Sequence, residues 1–117
     1  MLKFKDEMIN RWFKDNKGNA ISFGRMKFED KIMSDFIYIE SIGNHVGFYP
    51  LKYFRMENMD ITYSVQGVFS NKLSNVLYGS DRNREFTLIS EDSKIKIFTK
   101  FEPEEFLNLI RDNMIEV

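Results

Sequence analysis

The chain has 117 residues, 43% of them hydrophobic and 15% aromatic, and its 17 basic and 18 acidic side chains leave a net charge of −1. This length and apolar content fit one domain with its own core, so we predict a single domain over residues 1–117. The lack of cysteine excludes disulfides and thiolate chemistry, and the balanced charge disfavours nucleic-acid binding, which relies on a basic excess.

The first segment has helical spacing. Phe4, Met8 and Trp12 recur every fourth residue, and Phe13 lies in a parallel row beside them. Gly18 suits the left-handed position that follows a helix. We therefore predict an amphipathic N-terminal helix over 2–15, which with its stop signal occupies residues 1–17.

From residue 20 the apolar spacing changes to two, which is typical of strands. Gly24 stands where the parity switches and predicts a bulge or a strong bend. Pro50 has no N–H to donate, so the strand that contains it is expected at an edge. The predicted strands are a first one from 21 to 28, a central one at 35–42, and others at 45–51, 60–65, 85–90 and 94–99, the last two forming a hairpin.

Residues 66–84 form the least regular segment. The apolar residues Phe69, Leu73, Val76 and Leu77 could form one short helix, or residues 76–78 could form a short strand. A helix with a clear start follows the last strand: Pro103 fits its first position, and Phe106 and Ile110 belong to its apolar stripe.

The order of these elements, with three stretches of sequence, resembles the small pleckstrin-homology-like domains of bacteria. The stretches are FYPLKYF at 48–54, EFTLISEDSKIKIFTKF at 85–101 and PEEFLNLIRDN at 103–113. The resemblance spans 21–113. It implies an α+β fold over 20–113: a bent antiparallel sheet or partly open barrel of six to seven strands, capped by the C-terminal helix, with the N-terminal helix as an addition. Members of that family bind lipids, peptides or other proteins.

Residues that carry chemistry are few. The single histidine, His45, is predicted at a turn or strand edge, and the glycines match no phosphate-binding loop. Glu102, Glu104 and Glu105 are explained by a helix N-terminus. Asp30, Asp35 and Glu40 flank the central strand; Glu40 shares a face with two aromatic residues, but a rim carboxylate is the simpler interpretation. We predict no enzyme activity, cofactor or metal site.

Two surfaces are candidates for binding. Trp12 and Phe13 form an aromatic patch if the N-terminal helix does not pack on the sheet. Lys72, Arg82 and Arg84 could engage a phosphate or an acidic partner, or could belong to a solvated loop.

The favoured hypothesis is a non-enzymatic protein-interaction module that binds another protein or itself. A small regulator or inhibitor from a low-GC bacterium or its phage fits the heavy use of Lys, Asn, Ile and Phe. A peripheral membrane or lipid-headgroup binder is the alternative, and an unfamiliar enzyme comes third. No run approaches the length of a membrane span and the charged N-terminus lacks a signal-peptide core, so we expect a cytoplasmic protein without a transmembrane segment.

Overall fold

The computed structural model describes residues 1–41, 46–58, 60–65, 69–90 and 96–117. Its strands and helices follow in chain order, with 3₁₀ turns at Asp6–Met8 and Leu51–Tyr53. The strands are β1 Leu2–Phe4, β2 Trp12–Asp15, β3 Asn19–Phe28, β4 Lys31–Ser41, β5 Val46–Pro50, β6 Phe54–Glu57, β7 Asp60–Val65, β8 Phe69–Lys72, β9 Phe86–Leu88, β10 Lys100–Phe101 and β11 Met114–Glu116. The helices are α1 Leu73–Leu77 and α2 Pro103–Asp112. Among the described residues, no helix has the length and apolarity needed to cross a membrane.

The strands form antiparallel sheets. The largest has six strands in the order β10-β9-β2-β3-β4-β5 and is open, ending at β10 and β5. A second sheet has the order β6-β7-β8, and β1 pairs with β11. The predicted α+β class, with an antiparallel sheet of six to seven strands and a C-terminal helix, is confirmed.

The predicted N-terminal helix is wrong. Phe4 lies in β1 and pairs with Met114 of β11, while Trp12 and Phe13 lie in β2. Trp12 is 37% exposed and Phe13 is fully buried, so neighbouring side chains point to opposite faces as a strand requires. The apolar spacing suited either structure, and pairing with distant strands decided between them.

Several strand predictions are confirmed, and others shift. The strands predicted at 35–42, 45–51 and 60–65 correspond to β4, β5 and β7, and β5, which contains Pro50, is a terminal strand as expected. The irregularity in β3 falls between Met26 and Lys27 rather than at Gly24. His45 lies outside the described residues.

The predicted hairpin differs from the structure, and one of the two alternatives for residues 66–84 is confirmed. The hairpin predicted from 85–90 and 94–99 is displaced, because β9 pairs with residues 100–101 instead. Phe98 has a φ of 65°, a turn conformation rather than a strand one. Of the alternatives for 66–84, the short helix is confirmed as α1, which follows β8.

Phenylalanine fills the core between the large sheet and α2. Phe86 and Phe106 stack with ring centroids 4.0 Å apart, and Phe13 meets Phe106 at 5.0 Å. Phe4 and Phe23 complete the cluster, and all five rings are fully buried. Fully burying one such side chain stabilises the fold by about 1.5–3 kcal/mol. The helix thus covers one face of the six-stranded sheet and leaves the other outside.

A buried ion pair fastens β1 to this sheet. The Arg25 Nε donates to Asp35 Oδ1 at 2.8 Å, and both side chains face the core. The pair also binds the backbone of Phe4, whose N–H donates to Asp35 Oδ2 at 2.7 Å and whose carbonyl accepts from Arg25 Nη2 at 3.0 Å. The hydrogen bonds from Arg25 to Asp35, and then to Asp6, raise the pKa of Arg25. The two side chains of the pair therefore hydrogen-bond the backbone N–H and carbonyl of Phe4, as a neighbouring strand would.

Candidate interaction surface

The outer face of the six-stranded sheet carries a row of aromatic side chains. The register of the sheet places Trp12 opposite Ser22, Ser22 opposite Tyr38, and Tyr38 opposite Phe48, across β2 to β5. Directly paired residues lie on the same face of a sheet. We call Trp12, Phe36, Tyr38 and Phe48 the aromatic face, since Phe36 has the same parity in β4 as Tyr38.

The rings of the aromatic face contact one another. Trp12 and Tyr38 meet edge to face at 6.2 Å, and Phe36 lies 4.9 Å from Phe48. Trp12 is 37% and Phe48 46% exposed. The rings are thus held by one another while part of their surface stays in water.

Small residues on β3 make room for these rings. Ser22 lies between Trp12 and Tyr38 in the register. The ring of Phe36 lies over Gly24, where an added Cβ would stand 2.3 Å from its Cζ. A side chain at position 24 would therefore displace the ring of Phe36 from its place over the sheet.

Exposed apolar residues continue beyond the aromatic face. Ile89 donates its N–H to the Trp12 carbonyl at 2.9 Å and alternates with buried Leu88. At the other end lies the β3–β4 hairpin, whose turn residues Glu29 and Asp30 have φ values of 48° and 63°. Phe28, just before this turn, is 66% exposed. Exposed apolar side chains thus occur from β9 to the hairpin tip, while Lys14 and Glu40 place charges on the same face.

The structure separates the two predicted aromatic residues. Trp12 lies on the aromatic face, as a surface role requires. Phe13 points to the opposite side and packs against Phe23 and Phe106, so its predicted place on an interaction surface is corrected. The correction follows from the change of Trp12 and Phe13 from helix to strand.

Arg84 holds two loops together. Its Nη1 donates to Asp15 at 2.9 Å and its Nε to Asp81 at 3.3 Å. Asp15 also accepts the backbone N–H groups of Lys17 and Asn19 and so shapes the β2–β3 turn. Arg84 is mostly buried by these contacts and is a structural residue rather than a free anion ligand.

The two other predicted basic residues are exposed and bind different acids. Arg82 lies 3.5 Å from Glu104 at the start of α2, and Lys72 lies 3.9 Å from Asp60 in β7. Lys72, Arg82 and Arg84 thus each bind a different carboxylate. A phosphate would have to displace these partners, which counts against a headgroup site here.

The described residues offer little for catalysis. A hollow of about 410 Å³ beside β1 is lined by Lys3, Lys5, Asp6 and Glu7 among others. Hydrogen bonding from Arg25 lowers the pKa of Asp6, which makes it a poor proton donor. In the parts of the chain that the structure describes, no three His, Asp or Glu side chains are grouped to hold a metal ion.

No protein-family model, characterised protein or solved structure matches this chain. The surface therefore has to be interpreted from its own residues.

Sequence reasoning missed Phe36, Tyr38 and Phe48 as surface residues. The near-continuous apolar run of β4 is typical of a strand buried on both faces. One sequence signal indicated that this face meets water. Glu40 has the same parity as Phe36 and Tyr38, and it is exposed, as its interpretation as a rim carboxylate expects. That Phe36, Tyr38 and Phe48 share a face with Trp12 follows only from the strand order and register of the folded sheet.

Proposed function

We propose that this chain is a non-enzymatic protein-interaction module whose contact surface is the aromatic face. The observation that carries the proposal is the row of Trp12, Tyr38 and Phe48 across three strands, partly in water on the sheet face opposite the core. Aromatic side chains are enriched in the energetic centres of protein interfaces, where they bury large areas at small entropic cost. The rings are already fixed by mutual contacts, which lowers the cost of ordering them on binding.

The pleckstrin-homology-like architecture is part of the proposal. Supporting it are the meander β2-β3-β4-β5, the separate sheet β6-β7-β8 that follows, and α2 packed on the core. The strands β1 and β11 lie outside residues 21–113, the span of the resemblance, and β9 and β10 lie in its stretch 85–101. A small regulator or inhibitor that works in the cytoplasm would act by covering a partner's surface with such a face.

A pull-down with matched variants tests the function. Wild type, Trp12→Ala and Met56→Ala serve as baits in a lysate of the source organism, and bound proteins are quantified by mass spectrometry. Met56 is 44% exposed in β6, outside the large sheet, and is the control for a lost surface side chain. Deleting residues 1–17 is unsuitable, because it would remove β1 and β2 from the fold.

The expected result is a partner that wild type and Met56→Ala recover equally. Trp12→Ala should recover it at least about fivefold less, the loss that corresponds to an interface residue worth about 1 kcal/mol. Circular dichroism must show that both variants are folded. Equal recovery by Trp12→Ala, or equal loss with both variants, would refute binding through the aromatic face.

A further inference from the structure

Two opposite charges lie beside the aromatic face, in one row across the sheet. The register places Lys14 of β2 opposite Ala20 of β3, and Ala20 opposite Glu40 of β4. Both charged side chains are exposed, and both have the parity of the aromatic face. Since neighbouring strands are about 4.8 Å apart, the Cα atoms of Lys14 and Glu40 are separated by about 10 Å. The outer face thus carries a positive charge on one side of β3 and a negative charge on the other.

These two charges are not neutralised by neighbours in the fold. Among the described residues, neither Lys14 nor Glu40 forms an ion pair. A hollow of about 250 Å³ lies between them and is lined also by Gly18, Ala20 and Ser41. A side chain of another molecule that enters this hollow would therefore meet a free cation on one side and a free carboxylate on the other.

The next row of the sheet has apolar residues on both sides of β3. Trp12 of β2 and Tyr38 of β4 lie on either side of Ser22, and their rings meet at 6.2 Å. One strand further out on each side lie Ile89 and Phe48, which are also exposed. The apolar part of the outer face is thus similar on the two sides of β3, whereas its charges are opposite.

We propose that the aromatic face binds the aromatic face of a second copy of this chain, about a two-fold axis that runs along β3. Such an axis exchanges the two sides of β3, so each residue of β2 meets the residue of β4 that shares its row. Lys14 then faces Glu40 of the partner subunit, and Trp12 faces Tyr38 of the partner subunit. Each contact occurs twice, and the two-fold axis closes the assembly as a dimer.

The sign and placement of the charges favour a second copy over a foreign partner. If Lys14 and Glu40 had the same sign, this axis would set like charges opposite each other at both contacts, which is costly in an interface. A foreign partner would need a carboxylate and a cation in the reverse order, at the same spacing, beside apolar side chains. A second copy supplies all three. Sheets that stack face to face lie about 10 Å apart, a gap that Lys and Glu side chains can bridge.

The pairing rests on the proposed function, because it names the partner of the aromatic face, and sedimentation equilibrium over a concentration series tests it. Lys14→Glu sets two negative charges opposite each other at both contacts, and Glu40→Lys sets two positive charges there. Each variant should raise the dimer dissociation constant at least about tenfold, because two attractive contacts become repulsive at once. An equimolar mixture of the two variants pairs opposite charges at both contacts and should restore association.

Arg55→Glu is the matched control. Arg55 is exposed in β6, outside the large sheet, and its replacement makes the same reversal of charge as Lys14→Glu. This variant should dimerise like wild type. Circular dichroism confirms that each variant is folded.

Three results would overturn the pairing. They are a wild type that is monomeric at every concentration, a mixture that associates no better than either variant alone, and an Arg55→Glu dimer as weak as that of Lys14→Glu. The proposed function fails by a different result, a pull-down that does not depend on Trp12. A monomeric wild type whose pull-down depends on Trp12 therefore overturns the second copy and leaves the aromatic face as a contact surface.

Discussion

Removing the buried carboxylate of Asp35 should weaken the attachment of β1 to the large sheet. Asp35→Ala takes away the acceptor of the Arg25 Nε and of the Phe4 N–H. The Asp35 side chain is fully buried and that of Arg25 is only 11% exposed, so water cannot replace the lost partner without opening the structure. Asp6 continues to bind the Arg25 Nη1 at 2.7 Å and holds part of the charge.

The expected loss is about 3 kcal/mol of unfolding free energy, the lower end of the cost of breaking a buried ion pair, because Asp6 still binds Arg25. This is a large share of the roughly 5–15 kcal/mol that keeps a typical domain folded. Asp35→Asn should cost less, about 1–3 kcal/mol, because its amide oxygen can still accept from Phe4 while its NH₂ opposes the donors of Arg25.

Urea unfolding followed by circular dichroism measures these losses, with unchanged m-values as the condition for comparing them. Asp6→Asn is the matched control, since it removes the exposed acid from the same network and should change stability far less. Hydrogen exchange adds a local measurement: the Phe4 amide should exchange faster in Asp35→Ala. The reasoning is refuted if Asp35→Ala is no less stable than Asp6→Asn, or if the Phe4 amide stays as protected as in wild type.

Two further changes follow from the structure. Phe106→Ala should lower the unfolding free energy by about 3–5 kcal/mol, measured by urea unfolding, because it empties the centre of the phenylalanine core; a loss below 1 kcal/mol would contradict that placement. The pKa of Asp81 is lowered first by the Asn83 N–H, so the unfolded chain binds more protons below about pH 4 and stability falls there with falling pH. Asp81→Asn should flatten this fall in urea midpoints, and an unchanged slope would show that Asp81 does not contribute. Arg82 and Arg84 are each held by carboxylates, so the protein should not co-sediment with anionic vesicles at low salt; binding that weakens with added salt would instead support the lipid alternative.

Local signals made α2 predictable. Pro103 begins the helix, and the Glu105 carboxylate accepts the Glu102 backbone N–H at 3.1 Å, as an acidic N-terminal turn favours. The helix needs little information from beyond its own residues. The strands β4 and β7 were likewise predictable, because β-branched and aromatic residues dominate them.

The N-terminal segment was not predictable in this way. Its strand pairing depends on Met114, at the other end of the chain, and on Asp35 and Arg25, which bind the backbone of Phe4. No spacing within residues 2–15 carries that information. The aromatic face was hidden for the same reason, since Trp12 and Tyr38 meet only when β3 lies between their strands.

The contact between Gly24 and Phe36 predicts that the two positions change together in evolution. An alanine at position 24 would collide with the ring that lies over it, so the ring would have to swing toward Phe48 and change the shape of the outer face. Relatives that carry a larger residue at 24 should therefore carry a smaller one at 36.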